Sequence, residues 1–261
     1  TKLPQVYQEN LKGVDEIWTP SEWTASIYRK YHPKVFVFPF LIQSPLKSSK
    51  RNEVASILGA QADDYYFYTI CKAGDPRKNI WTLITAFQRL LHTFDARTFL
   101  VIKQYARTIP QLSSLPNVIS LTDSWEEGHI RGLHEIGDCY LSTHTSEAWG
   151  LGISEAMAAN NPVIATGATG NMEYMTEGNS FPIPAQKRHL YAWEVQSQPQ
   201  LLDTEMCWYD VDPMAFMETM SRVYSAKDNI SITPKEVLQS FPEDSLIQKF
   251  RIWQERFLQA I

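Results

Sequence analysis

Residues Asp138 to Thr166 read DCYLSTHTSEAWGLGISEAMAANNPVIAT. A short apolar run, a glycine-bearing turn, a short helical segment and a second β-branched run follow one another, the order of a strand–helix–strand unit. Parallel strands need such a crossover, and repetition of the unit builds a doubly wound parallel sheet. Asn160 stands where a left-handed C-cap ends the helix, and Pro162 blocks its continuation.

The same alternation extends along the chain. Short apolar runs at EIWTP, KVFVFPF, YYFYTIC, TFLVIK, NVISL, DCYLST, NPVIAT and SFPIP are predicted strands. Helical patterns separate those between Tyr65 and Pro184. In NIWTLITAFQRLLHTF the residues Ile80, Leu83, Ile84, Phe87, Leu90, Leu91 and Phe94 fall on one stripe that must be buried. EEGHIRGLHEIG, SEAMAAN and PMAFMETMSRVYS are further helices. The fold class is α/β, Rossmann-like, and Pro45 to Asp64 read as a polar, weakly helical connection from the opening segment.

Composition narrows the function. The chain has 261 residues, a net charge of −5 and scattered basic residues, so nucleic acid is a poor partner. Cys71, Cys139 and Cys207 are far apart and form no C-x-x-C pair, which fits reduced thiols of a cytoplasmic protein. No apolar run reaches the ~18 residues of a membrane span. Peripheral attachment at the inner membrane face stays open.

Ligands of parallel sheets bind outside the carboxyl ends of the strands. The strand DCYLST delivers Ser146 and Glu147 to that edge. The turn after them brings backbone close to a ligand at Gly150 and Gly152, and a helix starting near Ile153 offers unpaired N–H groups to an anion. Glu155 then falls in its first turn. Singly, Glu155 is equally an acid complementing the helix dipole, and Glu147 a solvated loop charge. A second cluster, CKAGDPRKNIW, sets Lys72, Arg77 and Lys78 on one turn before the next helix. Cations at a positive helix end are unfavourable without an anion, so this turn points to a polyanion; a solvated turn is the plain alternative.

These residues resemble the retaining, nucleotide-sugar-dependent glycosyltransferases of the GT-B fold, family 4. The second domain of that family is similar from about Tyr65 to Tyr224: its E-x7-E motif matches EAWGLGISE, EAMA and PVIA match Glu155 to Ala165, and its spaced basic pair matches Lys72 and Lys78. The resemblance implies a donor-binding half of a hexosyltransferase in polysaccharide biosynthesis. It gives Lys72 and Lys78 the donor diphosphate, with Arg77, Gly150, Leu151 and Gly152 around it, Glu147 the transferred sugar and Glu155 the ribose. It further implies a glycan or lipid-linked acceptor, and base contacts around Asp123 to Trp125. No metal or other cofactor is expected. Lys72 stands where arginine is commoner, giving a point charge instead of a fork, and Ala148 where glycine is.

Gly13 to Pro39 resembles the closing βαβ of the family's first domain, so residues 1–47 are expected to be a remnant of that domain and 48–261 the nucleotide-sugar domain. The isolated chain is expected to bind donor without transferring sugar. A non-catalytic nucleotide-sugar-binding or scaffolding module is the other reading. His144 is either a substrate contact or a packed histidine, and Glu173 either a sugar or base contact or a loop acid. Asp210 and Asp212 have the spacing of a metal-binding D-x-D, but Asp212–Pro213 is also an N-cap followed by proline at the first helical position. Leu246 to Ile261 is amphipathic; similar family segments cross back to the first domain.

Overall fold

The structure, a computed structural model, describes residues 2–43, 47–106 and 108–259, with side chains to residue 255. Helix α1 (Gln5–Asn10) leads into β1 (Ile17–Thr19), α2 (Glu22–Tyr28) and β2 (Val35–Val37). The two strands are parallel, Ile17 opposite Val35, as the βαβ pattern requires. Ser21 caps α2, its hydroxyl accepting from the Thr24 amide at 3.1 Å.

The main unit comprises α3 (Arg51–Leu58), β3 (Tyr65–Cys71), α4 (Ile80–Leu90), β4 (Thr98–Gln104), β5 (Val118–Leu121), α5 (Glu127–Ile136), β6 (Cys139–Ser142), α6 (Leu151–Ala158), β7 (Val163–Thr166) and β8 (Phe181–Ile183). The strands form one parallel sheet in the order β5-β4-β3-β6-β7-β8. This is the strand order of dinucleotide-binding sheets, with the switch point between β3 and β6. Helices cover both faces, which is why YYFYTIC is apolar throughout instead of alternating. On one face Phe67, Leu100, Ile102 and Leu141 meet the buried stripe of α4 and Phe216 and Met220 of α8 (Pro213–Ser225). On the other, Tyr68, Val101, Tyr140 and Val163 meet Leu133 of α5 and Ala156 and Met157 of α6.

All eight predicted strands are present, and Asn160 adopts the expected left-handed conformation, φ 69°. The connection expected for Pro45 to Asp64 begins in residues 44–46, outside the described residues. Its remainder is more ordered than its composition suggests, because α3 packs on α5 where Gly132 has no side chain; a Cβ there would lie 3.3 Å from Arg51 Cα.

Two strands escape the sequence reading. β9 (Ala185–His189) and β10 (Cys207–Val211) pair antiparallel and enclose α7 (Ala192–Ser197). The chain closes through α8, α9 (Val237–Ser240) and α10 (Glu243–Gln259). On α10 Trp253 donates to Glu16 and meets the Trp18 ring edge-on at 4.7 Å, so the last helix returns to the β1–α2–β2 unit. No described helix is long and apolar enough to cross a membrane.

Candidate functional site

The carboxyl ends of β3 and β6 flank a cavity of about 260 Å³ at the switch point. Lys78, Glu147, Gly150, Leu151 and Gly152 all line it, so five of the predicted site residues converge. Lys78 and Glu147 form an ion pair, each less than one-fifth exposed. Burial opposes the Lys78 ammonium, but the carboxylate beside it more than offsets this and holds its pKa above the ordinary lysine value.

The start of α6 differs from the sequence reading. Gly150 takes φ 87°, a conformation that favours glycine, and the helix begins at Leu151. Glu155 therefore lies in the second turn, not the first, and its carboxylate is half exposed outside the cavity, 3.7 Å from His134 Nε2. Gly152 meets its neighbours more closely than a loop glycine would. A Cβ there would sit 2.5 Å from the Tyr140 hydroxyl, so the helix start is pressed onto β6. The amides of Gly150, Leu151 and Gly152 find no acceptor among the described residues. Free donors at a positive helix end suit an anion.

The three cations behave differently. Arg77 turns back onto Asp75, which it grips with Nη2 at 2.7 Å and Nε at 3.2 Å. Burial pushes the Asp75 carboxyl up, and the Arg77 contacts more than reverse this, holding it below the usual range. Arg77 is thus paired within the turn, so the three cations placed there by the sequence are not equivalent; Asp75, two residues before Arg77, is the signal in the sequence. Lys72 extends over the Tyr105 ring at 5.8 Å, beside the cavity that Tyr105 helps to line.

Glu147 is held from below by residues that sequence reasoning does not join. Its amide donates to Thr169 Oγ1 at 3.1 Å, and its carbonyl accepts from the Gly170 amide at 2.9 Å. Thr169 has φ 75° and ψ −154°, a region that non-glycine residues enter only under strain. Thr169 Oγ1 donates to Asn171 Oδ1, which also accepts from His144 Nε2 at 2.9 Å. His144 is fully buried, and burial lowers its pKa, so it is a packed neutral imidazole and not a substrate contact. Glu173 also leaves the site: it caps α2, accepting from the Glu22 amide at 2.7 Å.

Asp210 accepts from Arg188 at 2.5 Å, and Asp212 caps α8 through the amides of Met214 and Ala215. Asp212 thus takes the cap position that Asp212–Pro213 predicts, and Asp210 pairs with a side chain the sequence does not join to it. A second cavity of about 430 Å³ adjoins the first through Ile70 and Tyr105 and runs to Asp123, Ser124 and Trp125. Its floor holds Lys103, 3% exposed, which donates to the carbonyls of Gln104 and Asp123 and lies 5.4 Å from the Trp125 ring. Burial lowers its pKa. Neither Lys103 nor Tyr105 is visible as a site residue in the sequence, because Lys103 reads as the end of the strand run TFLVIK and Tyr105 follows just beyond β4 with no motif around it.

Comparisons with known proteins agree with this architecture. The sequence profile of the family described as Glycosyl transferases group 1 matches residues 57–196, more than half of the chain. Curated proteins give no match. Among solved structures, the chain is similar to sucrose-phosphate synthase from Thermosynechococcus elongatus, with a TM-score of 0.69 at 16% identity over 97% of this chain and 61% of that one. It is similar to HepE of Anabaena in complex with UDP and glucose, TM-score 0.66 at 17% identity, covering 97% of this chain and 68% of that one. The pneumococcal O-GlcNAc transferase GtfA, in complex with UDP and GlcNAc, gives 0.63 at 17% identity, covering 97% and 47%. The chain thus spans from under half to about two thirds of the length of these proteins, and the likeness is one of GT-B fold. With the profile covering the switch-point cavity, the chain belongs to the Glycosyl transferases group 1 family.

Proposed function

We propose that the chain is the donor-binding half of a retaining hexosyltransferase, moving a sugar from a nucleoside diphosphate to a glycan or lipid-linked acceptor. The observation that carries this is the cavity lined together by Lys78, Glu147 and the first residues of α6, whose amides have no acceptor among the described residues. Cleaving the bond from the anomeric carbon to phosphate leaves negative charge on the diphosphate. The α6 amides, Lys78 turning from Glu147 and Lys72 turning in from the Tyr105 ring would receive that charge, which lowers the barrier electrostatically. In this reading no metal is required, since these groups supply the positive charge. Glu147, fixed by Thr169 and Gly170, would orient the sugar. The nucleoside would extend into the adjoining cavity, its base near Trp125, with Glu155 reaching the ribose by a change of rotamer away from His134. Two of the similar structures are complexes with UDP, which supports a nucleotide donor here.

The assignment separates the two glutamates. Glu155→Ala is expected to weaken binding of the plain nucleoside diphosphate about 10- to 100-fold, the loss of a charged acceptor worth roughly 1.5–3 kcal/mol. Glu147→Ala is expected to spare the nucleotide and remove the preference for nucleotide sugar over nucleotide. Titration of both variants with UDP, GDP, ADP and their glucose conjugates measures this; equal, negligible effects on every ligand would sink the assignment.

A further inference from the structure

A separate groove of about 520 Å³ lies across the Lys72–Ile80 loop from the first cavity, and Ile80 stands in the walls of both. Trp81 from the first turn of α4, and Tyr191 and Trp193 from the start of α7, line it together with Arg188, Asp210 and Asp75. Trp193 is 59% exposed, more than any other large apolar side chain among the described residues, and Trp81 and Tyr191 are 55% and 51% exposed. Three aromatic rings left wet in one concavity are not explained by core packing.

The polar groups beside them are fixed in place. Arg188 stacks on the Tyr191 ring at 3.9 Å, donates to both oxygens of Glu194 at 2.7 Å and to Asp210 at 2.5 Å. Of these, the carboxylates Glu194 and Asp210 are of a type depleted from the core of a protein–protein interface. A sugar suits them, because its C–H face lies flat on an aromatic ring while its hydroxyl edge meets planar charged groups. The groove is also joined to the site. The β10 amide of Tyr209 donates to the Thr145 carbonyl at 2.9 Å, and the Thr145 amide donates to the Arg77 carbonyl at 2.8 Å, so the β9–β10 element is tied to both loops around Glu147.

We propose that this groove binds an oligosaccharide, the saccharide portion of the acceptor beyond its reacting end, which stacks on Trp81 and Trp193 and hydrogen-bonds to Arg188 and Asp210. The proposal rests on the neighbouring cavity being the donor site. The test is oxidation of exposed tryptophans by N-bromosuccinimide, mapped by peptide mass spectrometry, with maltohexaose, cellohexaose, chitohexaose or an isomaltose oligomer as probe. At least one probe is expected to slow oxidation of Trp81 and Trp193 at least threefold and leave Trp18, which packs on α10, unchanged. The double variant Trp81→Ala/Trp193→Ala is expected to lose that probe more than tenfold in saturation-transfer NMR while its nucleotide affinity stays within twofold of wild type. Protection by none of the four probes, equal protection of Trp18, or undiminished glycan binding by the double variant would overturn the proposal. Glycan protection in a chain that binds no nucleotide would support the groove and count against the donor site alone.

Discussion

The two edges of the central sheet are built on opposite terms. At the amino edge, carboxylates meet the strand starts and each is answered. Asp138 accepts from the Tyr66 amide at 2.6 Å, and Asp64 accepts from the Gln61 amide and the Tyr66 hydroxyl while pairing with Arg97. At the carboxyl edge the first amides of α6 have no acceptor among the described residues, and Lys78 leans on a single carboxylate. Backbone strain divides the same way. The left-handed positions of the amino edge are Gly59, Asn117 and Asn160, residue types that tolerate the conformation, whereas the carboxyl edge has, beside Asn79 and Gly150, Ala106 and Thr169, which do not. One edge closes the fold; the other stores unspent donors and strain where a ligand would use them.

Breaking the carboxyl edge should therefore cost binding. Lys78→Ala is expected to weaken nucleoside diphosphate affinity about 10- to 100-fold, as loss of a charge-assisted bond of roughly 1.5–3 kcal/mol implies. Calorimetric titration measures it, and an affinity within twofold of wild type would remove Lys78 from the site. Breaking the amino edge should change stability alone. Burial pushes the Asp138 carboxyl up to about 6, above its value of 3.8 in the unfolded chain. The native state thus holds a proton that the unfolded state has released, so stability falls as pH rises from about 4 to about 6 and stays lower above that. Asp138→Asn, which still accepts from Tyr66, is expected to raise stability at pH 7 by about 1–2 kcal/mol and to leave it unchanged near pH 3.5. Denaturant melts at the two pH values check this; an equal gain at both would contradict the burial account.

The smallest expected effect sharpens the contrast. Thr169→Gly relieves strain of about 1–3 kcal/mol but loses two hydroxyl contacts and adds chain entropy, so net stability should move by no more than about 1 kcal/mol. The preference for nucleotide sugar over plain nucleotide should nevertheless fall severalfold, because Glu147 loses its anchor. Asn160→Gly, the matching change at the amino edge, should leave that preference intact. Equal behaviour of the two variants would show that the strain at Thr169 serves packing only.

What the chain reveals before folding is a matter of range. The strands of the main sheet are legible because burial on both faces makes them continuous apolar runs, and the α4 stripe because period and burial coincide. The β9–β10 pair is not: AQKRH is polar and half exposed, and CWYDV finds its partners on Arg188 and Thr145, far along the chain. Glu147 and Lys78 can be placed because strand ends set them at the ligand edge. The support of Glu147 by Thr169, Asn171 and His144 joins three separate positions and has no local signature. Glu155 lies one turn later in its helix than the sequence suggests because Gly150 looks like part of a loop, whereas its left-handed φ makes it the helix cap.

In the proposed function the carboxyl edge binds a nucleoside diphosphate through Lys78 and the α6 amides without a metal. Thermal unfolding of the chain in EDTA, with UDP, GDP or ADP added in turn, tests it most directly. One of these at about 100 times its dissociation constant is expected to stabilise the wild-type chain by about 2.7 kcal/mol, with the gain lost in Lys78→Ala at the same concentration. Stabilisation that appears only on adding Mg²⁺ or Mn²⁺, or that survives in Lys78→Ala, would contradict the account.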